Sequence, residues 1–331
     1  MPILDEQVFK DSVYPWQQSI WQTLTSRFPE IGHGILFYGK QGCGSQQFAH
    51  HFLAWVLCQN KQAQHACGSC ASCSWLSSDT HPNFVHISTD EDNKKANAKI
   101  KIEQIRDLLP FVQQTVEGWR VIMIEPAEAL NIASSNALLK TLEEPGERTL
   151  IILLAEHYLK LPATIRSRLQ HFALDRIQSE QTEQYIQQKI PDLKPERLQL
   201  LLNLANQMPL KVLELHEQAW VDARAVFCQD WLQLVGQKQM PMQFATKWGK
   251  QLSFTDFAIM FEYLLSDVVS VKLQQTQLNL DLDIQSIAAH YSLEQLFEIY
   301  DQLHQFKQMT AQNVQTQLLI DQLSMRLMNV S

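Results

Sequence analysis

The chain has 331 residues, of which 45% are apolar and 19% charged, and its formal net charge is −8. That length predicts two or three domains with sizeable cores. The acidic balance argues against a protein that grips nucleic acid unaided, because such binding rests on Lys and Arg neutralising phosphates.

The N-terminal run MPILDEQVFKDSVYPW has neither a basic n-region nor an apolar h-region, so it does not read as a secretory signal. No apolar run approaches the roughly 18–20 residues of a membrane span. A cytoplasmic location is expected, where the six cysteines suit thiols or metal ligands better than disulfides. Short apolar runs then alternate with helical patterns. GILFY (Gly34–Tyr38), NFVHI (Asn83–Ile87), WRVIMI (Trp119–Ile124), TLIILL (Thr149–Leu154) and HFAL (His171–Leu174) are expected strands, and continuous apolar runs suit strands buried on both faces. Helices are expected over Gln46–Cys58, about Ile102–Val112 and about Ser134–Leu142. Strands alternating with helices predict a parallel sheet covered on both faces.

After Leu174 the strand signals stop. Ser179–Ile190, Pro195–Gln207 and a segment opening at Pro209 read as short helices, and from Ala219 onward the chain is longer-period helix. Ser253 and Ser292 each open a capping signal. Leu293, Leu296, Phe297, Tyr300 and Leu303 are expected to share one apolar face. The organisation expected is an α/β domain over 1–172, a small helical lid over 173–217, and an all-α C-terminal domain over 218–331.

The stretch FYGKQGCGSQQF (Phe37–Phe48) sits between an expected strand and helix, where a phosphate loop of pattern G-x4-G-K-[ST] would sit. Gly39 and Gly44 have the required spacing, with Gly42 between them. The lysine that reaches terminal phosphates is replaced by Ser45, and the hydroxyl that holds Mg2+ by Gln46. The acidic pair expected after a later strand is reduced to Glu125 followed by Pro126. The loop is read as vestigial, its backbone an anion nest at most, and no ATP binding is expected. The competing reading is an unrelated α/β domain with a glycine turn.

Cys58, Cys67, Cys70 and Cys73 follow the spacing C-x8-C-x2-C-x2-C. Four thiolates complete a tetrahedral zinc shell and leave no open catalytic position, so a structural Zn2+ site over about 58–73 is expected. His65 is the alternative fourth ligand, and Cys58 is the residue it would release to the core. Cys43 and Cys228 stand alone.

SSNALLKTLEEPGERT (Ser134–Thr149), PATIRSRLQHFAL (Pro162–Leu174) and the four-cysteine insertion resemble the clamp-loader branch of the AAA+ ATPases. The defective loop and YPW (Tyr14–Trp16) are similar to its delta-prime family rather than to its motor subunits. The resemblance covers about the first 175 residues with specific motifs, and it implies an AAA+ fold of P-loop type. It also implies that Arg168, in Ser167-Arg168-Leu169, acts as an arginine finger on a neighbouring subunit's ATP site, with Leu169 departing from the family's Cys. Arg166 is the competing finger, and an internal salt bridge from Arg168 to Glu125 or Glu156 the competing role. Ala155 and Leu210 stand where the family carries polar sensors. Arg106 matches a position facing DNA, against the reading of a solvated charge.

The function implied is a non-hydrolysing clamp-loader subunit. It would assemble through its C-terminal domain with the motor subunits (gamma/tau) and the delta subunit, and load the sliding clamp on primer-template DNA. Its rivals are an active AAA+ ATPase and a zinc-module DNA-binding protein.

Overall fold

All five apolar runs become strands in the computed structural model, which describes residues 4, 6–89, 98–114, 117–310 and 315–328. Part of the N-terminal run, residues 1–3 and 5, lies outside the described residues. The strands are β1 (Gly34–Tyr38), β2 (Phe84–Ile87), β3 (Arg120–Ile124), β4 (Thr149–Ala155) and β5 (Gln170–Ala173). They form one parallel sheet in the order β2-β3-β4-β1-β5. Side chains alternate across it with period two. Ile35, Phe37, Val121, Met123, Ile152 and Leu154 join one core, and Leu36, Ile122, Ile124, Ile151 and Leu153 join the other. Burial on both faces explains why the sequence runs are continuously apolar.

The first core is completed by α1 (Gln18–Arg27), α2 (Ser45–Leu57) and α3 (Ala71–Ser77), through Trp21, Phe48, Phe52, Trp55 and Leu76. Phe37 meets Phe48 and Phe52 edge-on, with ring centroids 5.1 and 6.0 Å apart. The second core takes in α4 (Ile102–Arg106), α5 (Leu108–Gln113), α6 (Ile132–Glu143) and α7 (Ala163–Arg166). The single helix expected over 102–112 is two helices, parting at Asp107. Pro110 is the reason: it lacks an N–H, and the break places it in the first turn of α5, where no intrahelical donor is needed. Helix α6 starts two residues before the expected Ser134, because the Asn131 side chain accepts from the Ser134 N–H at 2.9 Å.

By its packing the chain divides into a unit of residues 1–185 with 208–211, and a unit of 186–207 with 212–331. Helix α8 (Ser179–Lys189) crosses from the first into the second, and α9 (Pro195–Leu204) lies wholly in the second. Helix α10 (Pro209–His216) contributes its first residues to the unit bearing the sheet. The remainder is α11 (Ala219–Val235), α12 (Pro241–Gln251), α13 (Phe254–Lys272), α14 (Ile284–Ala288), α15 (Leu293–Thr310) and α16 (Thr316–Met328).

Phe227, Trp231, Trp248 and Phe261 are fully buried in the second unit, and the Trp231 indole donates to Tyr291 Oη at 2.8 Å. Buried Asp267 accepts from the Leu278 and Asn279 N–H groups, each at 2.7 Å. The caps at Ser253 and Ser292 form as expected. The face of α15 differs from expectation: Leu296, Ile299, Leu303 and Phe306 are buried, whereas Phe297 is 54% exposed. A spacing of three, four and three residues keeps one stripe on a 3.6-residue turn, and Phe297 falls off it. Among the described residues no helix is long and apolar enough to cross a membrane.

Close packing brings β1 against the turn between α7 and β5. A Cβ on Gly34 would lie 2.8 Å from a Leu169 methyl and 3.2 Å from the Arg168 carbonyl oxygen. Gly34→Val is therefore expected to lower stability by about 1–3 kcal/mol, read as a lower denaturation midpoint with an unchanged denaturant slope.

Candidate functional site

The glycine loop between β1 and α2 turns through left-handed backbone at Gly42 (φ 89°) and Gly44 (φ 80°). Its carbonyls are held by the N-terminal segment. Trp16 Nε1 donates to the Cys43 carbonyl at 2.9 Å, and Gln17 Nε2 donates to the Cys43 and Gly44 carbonyls, both at 3.0 Å. Leu210, at the second residue of α10, donates its N–H to the Gly42 carbonyl at 3.0 Å. The Tyr14 ring lies over the loop, so a Cβ on Gly44 would meet it at 2.6 Å. Tyr14 stacks on Trp16 with centroids 4.8 Å apart, and both meet Tyr185 edge-on. At the loop's entry, Asp175 accepts from the Lys40 N–H at 3.3 Å. A carboxylate there opposes the charge of a phosphate. Ser45 opens α2 and also hydrogen-bonds Cys43, whose thiol burial pushes up to about 11.

Glu125 follows β3 directly. Desolvation raises its carboxyl above the usual range, and the Gln46 side chain opposes this by hydrogen-bonding it. Where an Mg2+-binding loop would offer a hydroxyl and an acid to the ion, this chain joins an amide to a carboxylate. His50 on α2 and His86 on β2 face the same carboxylate, with Nε2 atoms 4.0 and 3.9 Å from Oε2.

Arg168 sits in the turn between α7 and β5. Its guanidinium donates to Glu143 Oε1 from Nε at 2.9 Å and from Nη2 at 2.5 Å, and to the Thr164 carbonyl from Nη1 at 2.8 Å. The internal partner is thus Glu143, at the end of α6, and neither Glu125 nor Glu156. The pair is half-exposed, at 36% and 54% of the two side chains. Arg166 is engaged locally, donating to the Leu161 carbonyl at 3.1 Å and lying over the Tyr158 ring. Leu169, which is buried, packs toward β1. Arg106 is exposed in the last turn of α4. Ala155 closes β4, and its carbonyl accepts from the Gly39 N–H.

The four cysteines converge. Cys58 ends α2, Cys70 precedes α3 and Cys73 lies in its first turn. The four sulfurs lie within 4.8 Å of one another, with Cys70–Cys73 at 3.5 Å, Cys58–Cys70 at 3.9 Å and Cys67–Cys73 at 4.0 Å. Four sulfurs each ~2.3 Å from one tetrahedral ion would stand ~3.8 Å apart, so the residues fit a metal. The Cys67 N–H donates to Cys58 Sγ at 3.2 Å. A Ser69 backbone N–H holds the Cys67 thiol low, at about 6, whereas burial pushes Cys58 and Cys73 up. His65 stays apart from the group, with its Nδ1 2.8 Å from the Ala66 carbonyl.

The family model described as "DNA polymerase III, delta subunit" matches residues 16–178. A Pseudomonas aeruginosa protein named DNA polymerase III subunit delta' is 35% identical over 239 residues, covering 72% of this chain and 71% of that one. The chain belongs to the delta-prime family of DNA polymerase III subunits. The Haemophilus influenzae delta-prime protein is 29% identical over 80% of this chain and 79% of its own. The Bacillus subtilis protein named DNA polymerase III subunit tau is 34% identical over 53% of this chain and 30% of its own. In this delta-prime family member, sequence reasoning missed Tyr14 and Gln17 as groups covering the loop, and Glu143 as the partner of Arg168. Their separations in the chain, 25 residues or more, leave no local pattern to find.

The loop's conformation is expected to depend on Gly44. Gly44→Ala places a Cβ in left-handed backbone, at about 1–2 kcal/mol, and also against Tyr14. Chemical denaturation should register both effects when Gly44→Ala is compared with the unmodified chain, and only the backbone effect when the double variant is compared with Tyr14→Ala alone.

Proposed function

We propose that this chain is a non-hydrolysing AAA+-type clamp-loader subunit that completes a neighbour's ATP site with Arg168. The observation carrying this reading is the position of Arg168 relative to the chain's own loop. Arg168 precedes β5, at the edge where β1 begins, since Ile35 pairs with Gln170. The glycine loop leaves the opposite edge, after Tyr38. Five residues of strand, about 16 Å at ~3.3 Å per residue, lie between those edges. An arginine so placed suits another subunit's nucleotide better than its own.

Further support comes from the loop itself. Ser45 and Gln46 replace the lysine and the Mg2+-holding hydroxyl, Asp175 bonds the loop's entry, and Gln46 is committed to Glu125. In this reading the loop is vestigial. The relatives named DNA polymerase III delta-prime and tau support the partners: motor subunits of the gamma/tau kind, the delta subunit, the sliding clamp and primer-template DNA. A lid over 173–217 and an oligomerising C-terminal domain over 218–331 belong to the same proposal, as do a cytoplasmic setting and a contact of exposed Arg106 with the DNA backbone.

In the neighbour's site, a guanidinium stabilises charge developing on the γ-phosphate. Arginine fingers contribute about 10³–10⁵ in rate, or roughly 4–7 kcal/mol of barrier. The chain can therefore govern hydrolysis while performing none. Cys58, Cys67, Cys70 and Cys73 would hold a Zn2+ ion that closes the segment between α2 and α3 and supplies no reaction step, since a full thiolate shell leaves no open position.

Two measurements test this reading. In an assembly with the motor and delta subunits, Arg168→Ala should leave the sizing profile intact and lower clamp- and DNA-stimulated ATPase by at least a hundredfold at the site it serves. An unchanged rate at that site removes the finger. Zinc analysis should give one equivalent per chain, and Cys73→Ser should lose it together with several degrees of melting temperature.

A further inference from the structure

The contact that holds Arg168 joins two elements that β1 fixes separately. His33, which precedes β1, donates from Nε2 to the Leu142 carbonyl at 2.7 Å. That bond ties the last turn of α6, and so Glu143, to the start of the sheet. On the other side, Gly34 lets Leu169 and the Arg168 carbonyl close against β1, where a Cβ would stand 2.8 and 3.2 Å from them. The Arg168 N–H also donates to the Ile165 carbonyl at 3.1 Å. Anchored backbone therefore presents carboxylate and guanidinium to each other.

Glu143 Oε1 takes two of the five N–H groups of the guanidinium, from Nε and Nη2, and the Thr164 carbonyl takes a third from Nη1. One N–H remains on Nη1 and one on Nη2. No second ion pair to Arg168 occurs among the described residues. Two N–H groups on adjacent nitrogens are enough for a phosphate to begin a bidentate contact. The carboxylate is then the obstacle. It neutralises the arginine, and its own charge repels an anion approaching the same group. Phosphate and Glu143 compete for one cation, and a half-exposed pair is weak enough to lose.

Given the finger role proposed for Arg168, we propose that Glu143 is its autoinhibitory partner, restraining hydrolysis at the neighbour's site until the subunits close. Before clamp and DNA bind, the γ-phosphate reaches Arg168 loosely, and the guanidinium divides its time between phosphate and Glu143. Once the interface closes, the phosphate wins outright and Glu143 no longer matters. Glu143 acts through Arg168 alone, as a positioning residue that touches no nucleotide. Its exposure sets its weight. A half-exposed ion pair of about 1 kcal/mol corresponds to a factor of about five in rate, felt in the slow state and not in the fast one. An ordinary surface pair with no part in hydrolysis is the competing reading.

The test uses the full chain, alone and in assembly with the motor and delta subunits. Glu143→Gln keeps the shape of the side chain and removes its charge. In the assembly it is expected to raise ATPase without clamp and DNA by about two- to fivefold, and to leave the stimulated rate within about twofold. Adding Arg168→Ala should erase that gain. In the isolated chain, the arginine-selective reagent phenylglyoxal should modify Arg168 about twofold faster or more in Glu143→Gln, with Arg106 unaffected, as read by mass spectrometry. An unstimulated rate that stays the same or falls in Glu143→Gln overturns the restraint, and so does a gain that survives Arg168→Ala. Unaltered phenylglyoxal reactivity at Arg168 overturns it whatever the assembly shows. The finger itself stands or falls separately, on the loss of stimulated rate in Arg168→Ala alone.

Discussion

The parallel ladder through β1 fixes where everything else can be. Tyr38 pairs with both Ala155 and Ala173, so β4, β1 and β5 end together. The Gly39 N–H then bonds the Ala155 carbonyl at 3.2 Å, and the Leu174 N–H bonds the Tyr38 carbonyl at 2.8 Å. Beyond β4, β3 is matched to β2, and the Glu125 N–H bonds the Ile87 carbonyl at 2.9 Å. The groups that follow these strands, Gly39 to Ser45, Glu125 and Asp175, are thereby gathered along one edge. Open α/β sheets place their ligand crevices at that edge. A one-residue slip of a strand would send each of its side chains to the opposite core, so register and site position are one constraint.

That edge is now filled by the chain's own groups. A phosphate loop leaves its backbone facing a ligand, and the ligand neutralises what the fold does not. Here Trp16, Gln17 and Leu210 satisfy loop carbonyls, Tyr14 covers Gly44, and Asp175 takes the Lys40 N–H. The Tyr14–Trp16–Tyr185 cluster gives the cover its own packing, since aromatic pairs at these separations add about 0.5–1.5 kcal/mol beyond burial. The glycines therefore keep a structural reason to persist. Gly44 still needs its left-handed backbone, whether or not an anion lies above it.

The sheet was largely legible in the sequence because a strand buried on both faces announces itself as an unbroken apolar run. All five runs became strands with ends within a residue or so of expectation. The cysteine cluster was equally legible, since C-x2-C steps act over a single turn of chain. Helix limits were less so. Asn131 capped α6 two residues early, and Pro110 divided one expected helix into two. The face of α15 was misread because Phe297 lies beside the true stripe of Leu296, Ile299, Leu303 and Phe306, and hydrophobicity alone does not say which way a helix turns. Partners across elements were not legible at all. Arg168 has several acidic residues within reach of imagination, and only the packing of α6 against α7 selects Glu143. His50 and His86 carried no signal, because nothing in their spacing marks two residues on different elements as facing one carboxylate.

The choice of Glu143 has an energetic consequence. A buried partner would hold Arg168 firmly, since removing one member of a buried pair costs about 3–5 kcal/mol. The observed pair is half-exposed, and such pairs contribute about 0–1 kcal/mol. Leaving Glu143 therefore costs little beside the roughly 4–7 kcal/mol an arginine finger removes from a phosphoryl-transfer barrier. The bond from Nη1 to the Thr164 carbonyl belongs to the helix preceding the arginine and aims the guanidinium without a charge to neutralise it. In the role proposed for Arg168, an arginine held in this way is ordered while the neighbour's site is unfilled, and a phosphate group can displace a single solvated carboxylate from it. A deeper ion pair would have left the guanidinium less able to act on anything outside it, because withdrawing it would strand a buried carboxylate.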